Sequence, residues 1–558
     1  MTFHIGTYFM KKNPNRFYFY KWIFSQLKII DKMSATKLFQ SLKKSFKSGK
    51  TLSLEWRLSQ LYAIKKLLVE NEAAVSNALK SDLGRCNFES VGCDVLPCYP
   101  EVDLAISQVK NWMKPVHSSV PMIMSPAVCE EQSRPLGVVF IIGPFNYPFT
   151  LCIQPLIGAI AAGCCVLVKP SEACTETEKL LVNLFSKYLD SDCIKITTGD
   201  YKVSAELTKL PWNKIFFTGS TRVGKIISAA AAENLTPVCL ELGGKTPVIV
   251  DNTVTDIVLA SRRIVWGRLL NNGQTCIASD YVLVHESVHD EFVQACSDRI
   301  REFYGEDPSK CDDYGRLVNQ ASATRLKKLM TDSEKCKGCK GKIQYYPDGQ
   351  SGPKFVNEKD RYVPPTLVTG ITPKCPLMTE EIFGPVLPIM PYSSLEEVVE
   401  ITNTEITQQP LSLYIFSKDK TTIDYLITNI HSGGVVVNDT VFGVASKHLP
   451  FGGVGPSGIG SYHGKASFDC FSHSQPIVRR HDLWWLDVPF RFPPYTDFGL
   501  SVFRLAFGLP DQPSATRYTF SRIISLGVVG CLLYYAYPLY LKETIESINV
   551  AKILSVFK

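Results

Sequence analysis

The segment NNGQTCIASD, residues 271–280, holds Cys276 on a polar run just ahead of an apolar stretch, DYVLVH. A cysteine attacks carbon only if it is accessible and can reach the thiolate state. Eighteen cysteines are present, and most of the others, such as Cys164, Cys165, Cys239 and Cys531, lie inside apolar runs where a thiol is a small hydrophobe. Complementary chemistry stands at Glu241, in ELGGKTP (241–247), where a strand-like apolar run ends before two glycines. Partial desolvation there raises the proton affinity of a carboxylate and suits it to take a proton from water; a turn cap is the simpler alternative. Lys169 and Glu172, in KPSE, are spaced as an exposed ion pair, or as a pair that binds the two hydroxyls of an adenosine ribose. In the second case the Glu172 carboxylate repels a 2′-phosphate and favours NAD over NADP. TGSTRVGK (218–225) puts Gly219 and Gly224 around a turn that opens a helix, where free N–H groups and the helix dipole favour a phosphate. It is not a G-x-G-x-x-G, and a plain tight turn has the same pattern.

The elements that must position these residues are legible as alternating runs. GVVFII (137–142), CCVLV (164–168), CIKITTG (193–199), KIFFTG (214–219) and PVCLELGG (237–244) are separated by helical stretches. Near-continuous apolar strands with crossover helices predict a parallel sheet covered on both faces, which binds ligands at the carboxyl ends of its strands. TPVIV, DYVLVH, GPVLPI, LYIFS and GGVVVND repeat the pattern between about 245 and 440, so a second α/β domain is expected. The lysine-rich segment EKCKGCKGK (334–342) contains Cys336 and Cys339 in a C-x-x-C, but no second pair or histidine lies at zinc spacing. It reads as a solvated loop.

A chain of 558 residues exceeds what one hydrophobic core serves, and 45% hydrophobic content suffices for two or more. The formal charge is +7, yet residues 1–32 carry Lys11, Lys12, Arg16, Lys21, Lys28 and Lys32 against Asp31, a local +5 that leaves +2 elsewhere. That argues against a nucleic-acid partner, which needs a basic face along the phosphate backbone. The cysteine density and the want of a cleavable signal suggest reduced thiols and a compartment open to the cytosol. The basic, aromatic N-terminal stretch is either a weak targeting or membrane-surface arm, or lies upstream of a start at Met33. IISLGVVGCLLYYAYPLYL (523–541) runs nineteen residues without a charge, nearly enough to span a hydrocarbon core of roughly 30 Å, with Tyr534, Tyr535, Tyr537 and Tyr540 towards one end. A tail anchor or a buried terminal helix would both produce it.

Taken together, GPFNYPF (143–149), KPSE, FTGSTRVGK, LELGGKTP, NNGQTC, EEIFGPVLPI (380–389) and LPFGGVGPSGIGSYHGKASFDCFSH (449–473) closely resemble the NAD(P)-dependent aldehyde dehydrogenase superfamily, in family order over about residues 45–480. GSYHGKASFDCFSH, the GQTC context and the C-terminal apolar run resemble its class 3, fatty aldehyde dehydrogenase branch, its fungal members above all. Gly143 and Pro456 depart from residues more usual in relatives, beside the chemistry and not at it.

The resemblance implies an α/β, aldehyde dehydrogenase-like fold. Its expected parts are an N-terminal extension (1–32), an NAD-binding domain (33–242), a catalytic domain (243–445) and a return to the nucleotide and oligomerisation region (446–480). A membrane-proximal segment (481–522), a transmembrane tail anchor (523–541) and a short tail (542–558) complete it. It implies that Cys276 attacks the aldehyde, that the Asn146 amide joins the Cys276 N–H in binding the oxyanion, and that Glu241 is the general base. By the same resemblance Lys169 and Glu172 meet the adenosine ribose, Gly219, Ser220 and Gly224 form the pyrophosphate turn, and Glu381 and Phe383 contact the nicotinamide ribose and ring. Asn438 and Phe451 line the substrate end. The implied activity is NAD-dependent oxidation of medium- to long-chain aliphatic aldehydes, with NADP tolerated, no metal, and a homodimer anchored to a membrane and facing the cytosol. The mitochondrial outer membrane, endoplasmic reticulum and lipid droplet are the candidate membranes. An aromatic-aldehyde enzyme, a silent relative acting as an interaction protein, and a CoA-acylating or semialdehyde enzyme are the alternatives.

Overall fold

The computed structural model describes residues 34–121, 124, 127–336, 343–482, 487 and 491–507. The N-terminal extension, Cys339 and the apolar run 523–541 therefore lie outside the described residues. Among the described residues no helix is long and apolar enough to cross a membrane. Two compact units are present: a larger one running to Val116 and resuming over Glu131–Gln475, and a smaller one comprising His117–Glu130 and the chain from Pro476.

The strands in chain order are β1 (Val116–Ser118), β2 (Val128–Pro135), β3 (Val138–Ile142), β4 (Cys165–Lys169), β5 (Ile194–Ile196), β6 (Lys214–Thr218), β7 (Val238–Glu241) and β8 (Pro247–Val250). They continue as β9 (Tyr281–His285), β10 (Gln344–Tyr346), β11 (Thr366–Thr369), β12 (Val386–Tyr392), β13 (Ser412–Phe416), β14 (Gly434–Val437), β15 (Gly458–Ile459) and β16 (Ser472–Arg479). One six-stranded sheet has the order β15-β7-β6-β3-β4-β5 and a seven-stranded sheet the order β10-β11-β12-β9-β8-β13-β14. In the first, β3 to β7 are mutually parallel and only β15 is antiparallel. In the second, only β10 is antiparallel. A polar three-stranded sheet, ordered β1-β2-β16, has no apolar run to announce it in the sequence.

The parallel strands form because their residues are apolar on both faces. All five residues of β3, β4 and β13 are buried. Each fully buried Val, Leu or Ile contributes about 1.5–3 kcal/mol relative to exposure, so these strands anchor the cores. The covering helices begin at side chains that satisfy their free N–H groups: Ser53 accepts from Trp56 N at 3.1 Å, and Asp256 from Leu259 N at 2.8 Å. The helix Thr150–Ala162 stops at Gly163, whose φ of +89° reverses the chain into β4. In this topology the carboxyl ends of β4, β6 and β7 carry Lys169, Thr218 and Glu241, and the chain leaves β7 directly for β8 of the other sheet.

Candidate active site

Cys276 follows a turn of unusual backbone. Asn271, Asn272 and Gly273 have φ of +54°, +53° and +71°, three left-handed residues in succession. Asparagine and glycine are the residues that tolerate this region. Side chains hold the turn on several sides. Asn271 Nδ2 donates to Asn146 O at 2.8 Å and Gln274 O at 3.1 Å, and Gln274 Oε1 accepts from Val318 N at 2.9 Å. On the far side, buried Arg268 donates to Ser279 O and Asp280 Oδ1, each at 3.0 Å, and to Gly384 O. Lys245 Nζ meets Asp280 Oδ2 at 2.5 Å.

The polar context of NNGQTC suggested an open loop, but Cys276 is half-buried, packed against a cluster of Leu270, Ile277, Leu411 and Val441 that Trp266 and Phe451 also border. The backbone turn folds the polar residues inward, where they bond to one another. Burial, with the carboxyl groups of Glu381 and Glu241 nearby, pushes the thiol up to about 12, while its own N–H and that of Ile277 oppose the shift. The resting side chain is thus the thiol.

Glu241 ends β7, 3% exposed, with both carboxylate oxygens buried and without a hydrogen-bond partner among the described residues. It caps no turn. Burial, with Cys470 alongside, raises its pKa well above the ordinary carboxylate value. The return strand β15 covers it, pairing Gly458 with Glu241. Asn146 is 3% exposed, and its main-chain carbonyl accepts from Asn271 Nδ2 and from Arg85 Nη2 at 2.5 Å. Next to it, Tyr147 OH and Thr275 Oγ1 lie 2.5 Å apart, so the residue after Asn146 bonds the residue before Cys276.

The nucleotide side is built at the strand ends. Lys169 Nζ, almost wholly buried, meets Glu172 Oε2 at 3.0 Å and Pro170 O at 3.1 Å, while Glu172 stays half exposed. Ser220 caps the helix Thr221–Ala232, accepting from Val223 N at 3.4 Å. A side chain at Gly219 would press into the Phe217 ring, 3.0 Å from Cε2, so this turn requires glycine. Gly224 lies one turn into the helix under Leu242, where its lack of a side chain serves helix-to-strand packing. Glu381 lies against Gly243, and burial with Asp280 nearby pushes its carboxyl up to about 8. Phe383, at φ +48°, sets its ring edge-on to Phe145, 5.7 Å away. Glu178 and Thr218 each keep a buried oxygen with no partner in this region. A buried lysine at a strand end, a helix start capped by Ser220 and oxygens without partners among the described residues fit a dinucleotide.

Of the two substrate-end residues, Phe451 joins the Cys276 cluster, stacks on His463 at 5.3 Å and pairs with Tyr462 through main-chain bonds of 2.9 Å. Asn438 is different. It is exposed at the end of β14, and its amide accepts from Ser417 N and donates to Ser417 O, each at 3.0 Å. That amide aligns the ends of β13 and β14. Arg85 escaped the sequence reading because LGRCNFE carries no periodic or motif signal, while Tyr147 and Thr275 lie within GPFNYPF and NNGQTC but had no role marked by their side-chain type.

A doubly covered parallel sheet with a nucleotide-type edge, facing a second sheet through a cysteine, an amide and a buried carboxyl group, defines an α/β enzyme of the dehydrogenase kind. The aldehyde dehydrogenase family model matches residues 21–477, and the chain belongs to that family. Aldehyde dehydrogenase family 3 comG of Dictyostelium discoideum is 41% identical over 83% of this chain and 95% of its own length. The dimeric NADP-preferring aldehyde dehydrogenase of Rattus norvegicus is 39% identical, over 81% and 96%. Among solved structures, substrate-bound Staphylococcus aureus AldH superimposes with a TM-score of 0.78 at 37% identity, covering 85% of this chain and 99% of that one. The protein is an aldehyde dehydrogenase of the class 3 type that uses NAD(P).

Proposed function

We propose that this aldehyde dehydrogenase oxidises medium- to long-chain aliphatic aldehydes to carboxylic acids at a membrane surface, through Cys276, Asn146 and Glu241. The observation that carries the chemistry is the buried, unpartnered Glu241 carboxyl group close enough to raise the Cys276 thiol. Cys276, once deprotonated, attacks the carbonyl carbon to give a thiohemiacetal. The Asn146 amide and the Cys276 N–H face the oxygen as charge develops on it, each such donor being worth about 3–4 kcal/mol. NAD(P), when bound, supplies the hydride acceptor, with Lys169, Glu172, Gly219, Ser220, Glu381 and Phe383 as its holding residues. Loss of hydride leaves a thioester on Cys276. Glu241 takes a proton from the water that hydrolyses it; a carboxylate whose proton affinity is raised by burial is a stronger base than a solvated one.

The apolar wall of Leu270, Ile277, Leu411, Val441 and Phe451 around Cys276 favours an aliphatic substrate. A tail anchor over 523–541 would hold the site where such aldehydes partition, each CH₂ favouring the apolar phase by about 0.8 kcal/mol. Tyr495, Phe498 and Phe507, at 71–78% exposed, suit a segment that meets the bilayer before that tail. We read the enzyme as a homodimer facing the cytosol, at the mitochondrial outer membrane, endoplasmic reticulum or lipid droplet, with Glu172 favouring NAD. NADH production from hexadecanal, benzaldehyde and succinic semialdehyde tests the substrate: highest kcat/KM for hexadecanal is expected, and preference for either of the others refutes it. Cys276→Ala should abolish turnover and leave NAD binding intact. Deleting 523–558 should release the enzyme from membranes; persistence in the pellet after alkaline wash refutes the anchor.

A further inference from the structure

We propose that Arg85 is a positioning residue for the reaction, a single buried guanidinium that locks the loop bearing Asn146 to the loop bearing Cys276. The inference rests on the roles given above to those two residues.

Arg85 is 1% exposed, and a charge taken so completely out of water persists only with full compensation. Its partners come from three segments far apart in sequence. Nη1 meets Asp94 Oδ2 at 2.5 Å, Nη2 donates to Asn146 O at 2.5 Å, and Nε donates to Asn271 Oδ1 at 3.1 Å. The guanidinium also lies 4.9 Å from the Tyr147 ring centre. Asp94 uses its second oxygen on the same loop, accepting from Phe149 N at 3.2 Å and Thr150 N at 2.9 Å.

Asn271 closes the triangle. Its oxygen accepts from Arg85, and its amide hydrogens go to Asn146 O and Gln274 O, so neither orientation nor rotamer is free. The carbonyl of Asn146 therefore receives one donor from Arg85 and one from the turn that precedes Cys276. A movement of either loop relative to the other breaks a bond to the guanidinium or to Asn271. Planar, three-directional donation is what arginine supplies and lysine does not. Arg57 offers a contrast: also buried, at 4% exposed, it binds Thr51 O, Leu52 O and Ala161 O, none of them on either loop.

The test compares Arg85→Lys with Arg57→Lys in the full-length enzyme, using hexadecanal and NAD, with denaturation midpoints and NAD binding measured beside kcat. A lysine at 85 keeps the charge on Asp94 but cannot hold both loops. Misplacement of about 1 Å costs on the order of 100-fold in rate. Arg85→Lys is expected to lower kcat by about 10- to 100-fold, slow alkylation of Cys276 by iodoacetamide, and leave NAD affinity within twofold. Arg57→Lys is expected to lower the midpoint only. Folded Arg85→Lys enzyme with kcat within twofold of wild type overturns the proposal. If Arg85→Lys does not fold, Asn271→Asp decides by the same measurements, since it keeps the acceptor for Arg85 and loses the donors to Asn146 and Gln274. Full turnover by Asn146→Ala or Cys276→Ala would instead sink the underlying site assignment.

Discussion

Replacing Gly273 with alanine isolates what the left-handed turn does for Cys276. At φ +71° an added Cβ is strained by about 1–2 kcal/mol. The methyl would also sit 2.5 Å from the Gly384 carbonyl carbon, closer still to its oxygen, and 3.0 Å from Arg268 O. These are main-chain atoms and cannot rotate aside. Gly384 is itself packed under Leu326, and its oxygen is the acceptor for Arg268. Overpacking of this kind costs about 1–3 kcal/mol, so the total is about 2–5 kcal/mol. Gly49 provides the reference: its φ is +76°, but the nearest atom to an added Cβ is Leu52 Cδ1 at 3.7 Å. Gly49→Ala should cost only the strain of about 1–2 kcal/mol and leave turnover unchanged. Gly273→Ala should cost about 1–3 kcal/mol more and lower kcat on the order of 100-fold, because the displaced turn carries Cys276, the proposed nucleophile. Urea denaturation and steady-state NADH production on both variants give the numbers. Equal destabilisation by the two substitutions with equal turnover would refute the reasoning.

Two further perturbations bear on charge. Burial, opposed by Arg85, raises the Glu89 carboxyl from 4.5 to about 7, and its Oε2 accepts from Asn271 N at 3.2 Å. The folded state then binds the proton more tightly than the unfolded one, so stability is full below about pH 4.5 and declines as pH rises through about 7. Glu89→Gln keeps an acceptor and removes the titration, so its stability relative to wild type should rise by at most about 3 kcal/mol between pH 4.5 and 8; parallel pH profiles would contradict this. Glu172→Gln removes a half-exposed negative charge from the proposed ribose end and should raise kcat/KM for NADP relative to NAD by about 5-fold. An unchanged ratio in a dual-cofactor assay would mean that selectivity lies elsewhere.

The apolar strands were readable because a strand buried on both faces needs uninterrupted hydrophobic residues, and β3, β4, β6 and β13 fall within a residue of the runs that announce them. β2 and β16 have mostly polar sequences, so no burial pattern marked them. Glu241 and Lys169 were legible for the same reason as the sheets, since each is a charge terminating an apolar run. Cys276 was marked by polar neighbours, but its half-burial was not, because it depends on three left-handed residues and on arginines at 85 and 268 that fold those neighbours inward. Asn438 was assigned to the substrate end through the family resemblance alone; the ladder between β13 and β14 shows its amide bonded to Ser417. Partners nearly two hundred residues apart, such as Arg85 and Asn271, leave no local trace.

The antiparallel strand β15 has a consequence for how the protein is made. Glu241 and its partner Gly458 stand 217 positions apart (458 minus 241), and the Leu242 N–H waits for Ser457 O. At about 5–20 residues per second, a ribosome needs on the order of 10–40 s to deliver that last strand after β7 has emerged. Until then β7 has no neighbour on the side that β15 occupies in the finished sheet. With Cys276 as the proposed nucleophile and Glu241 as the proposed base, a chain released before Gly458 is expected to lack aldehyde oxidation, because β7 still misses its antiparallel neighbour.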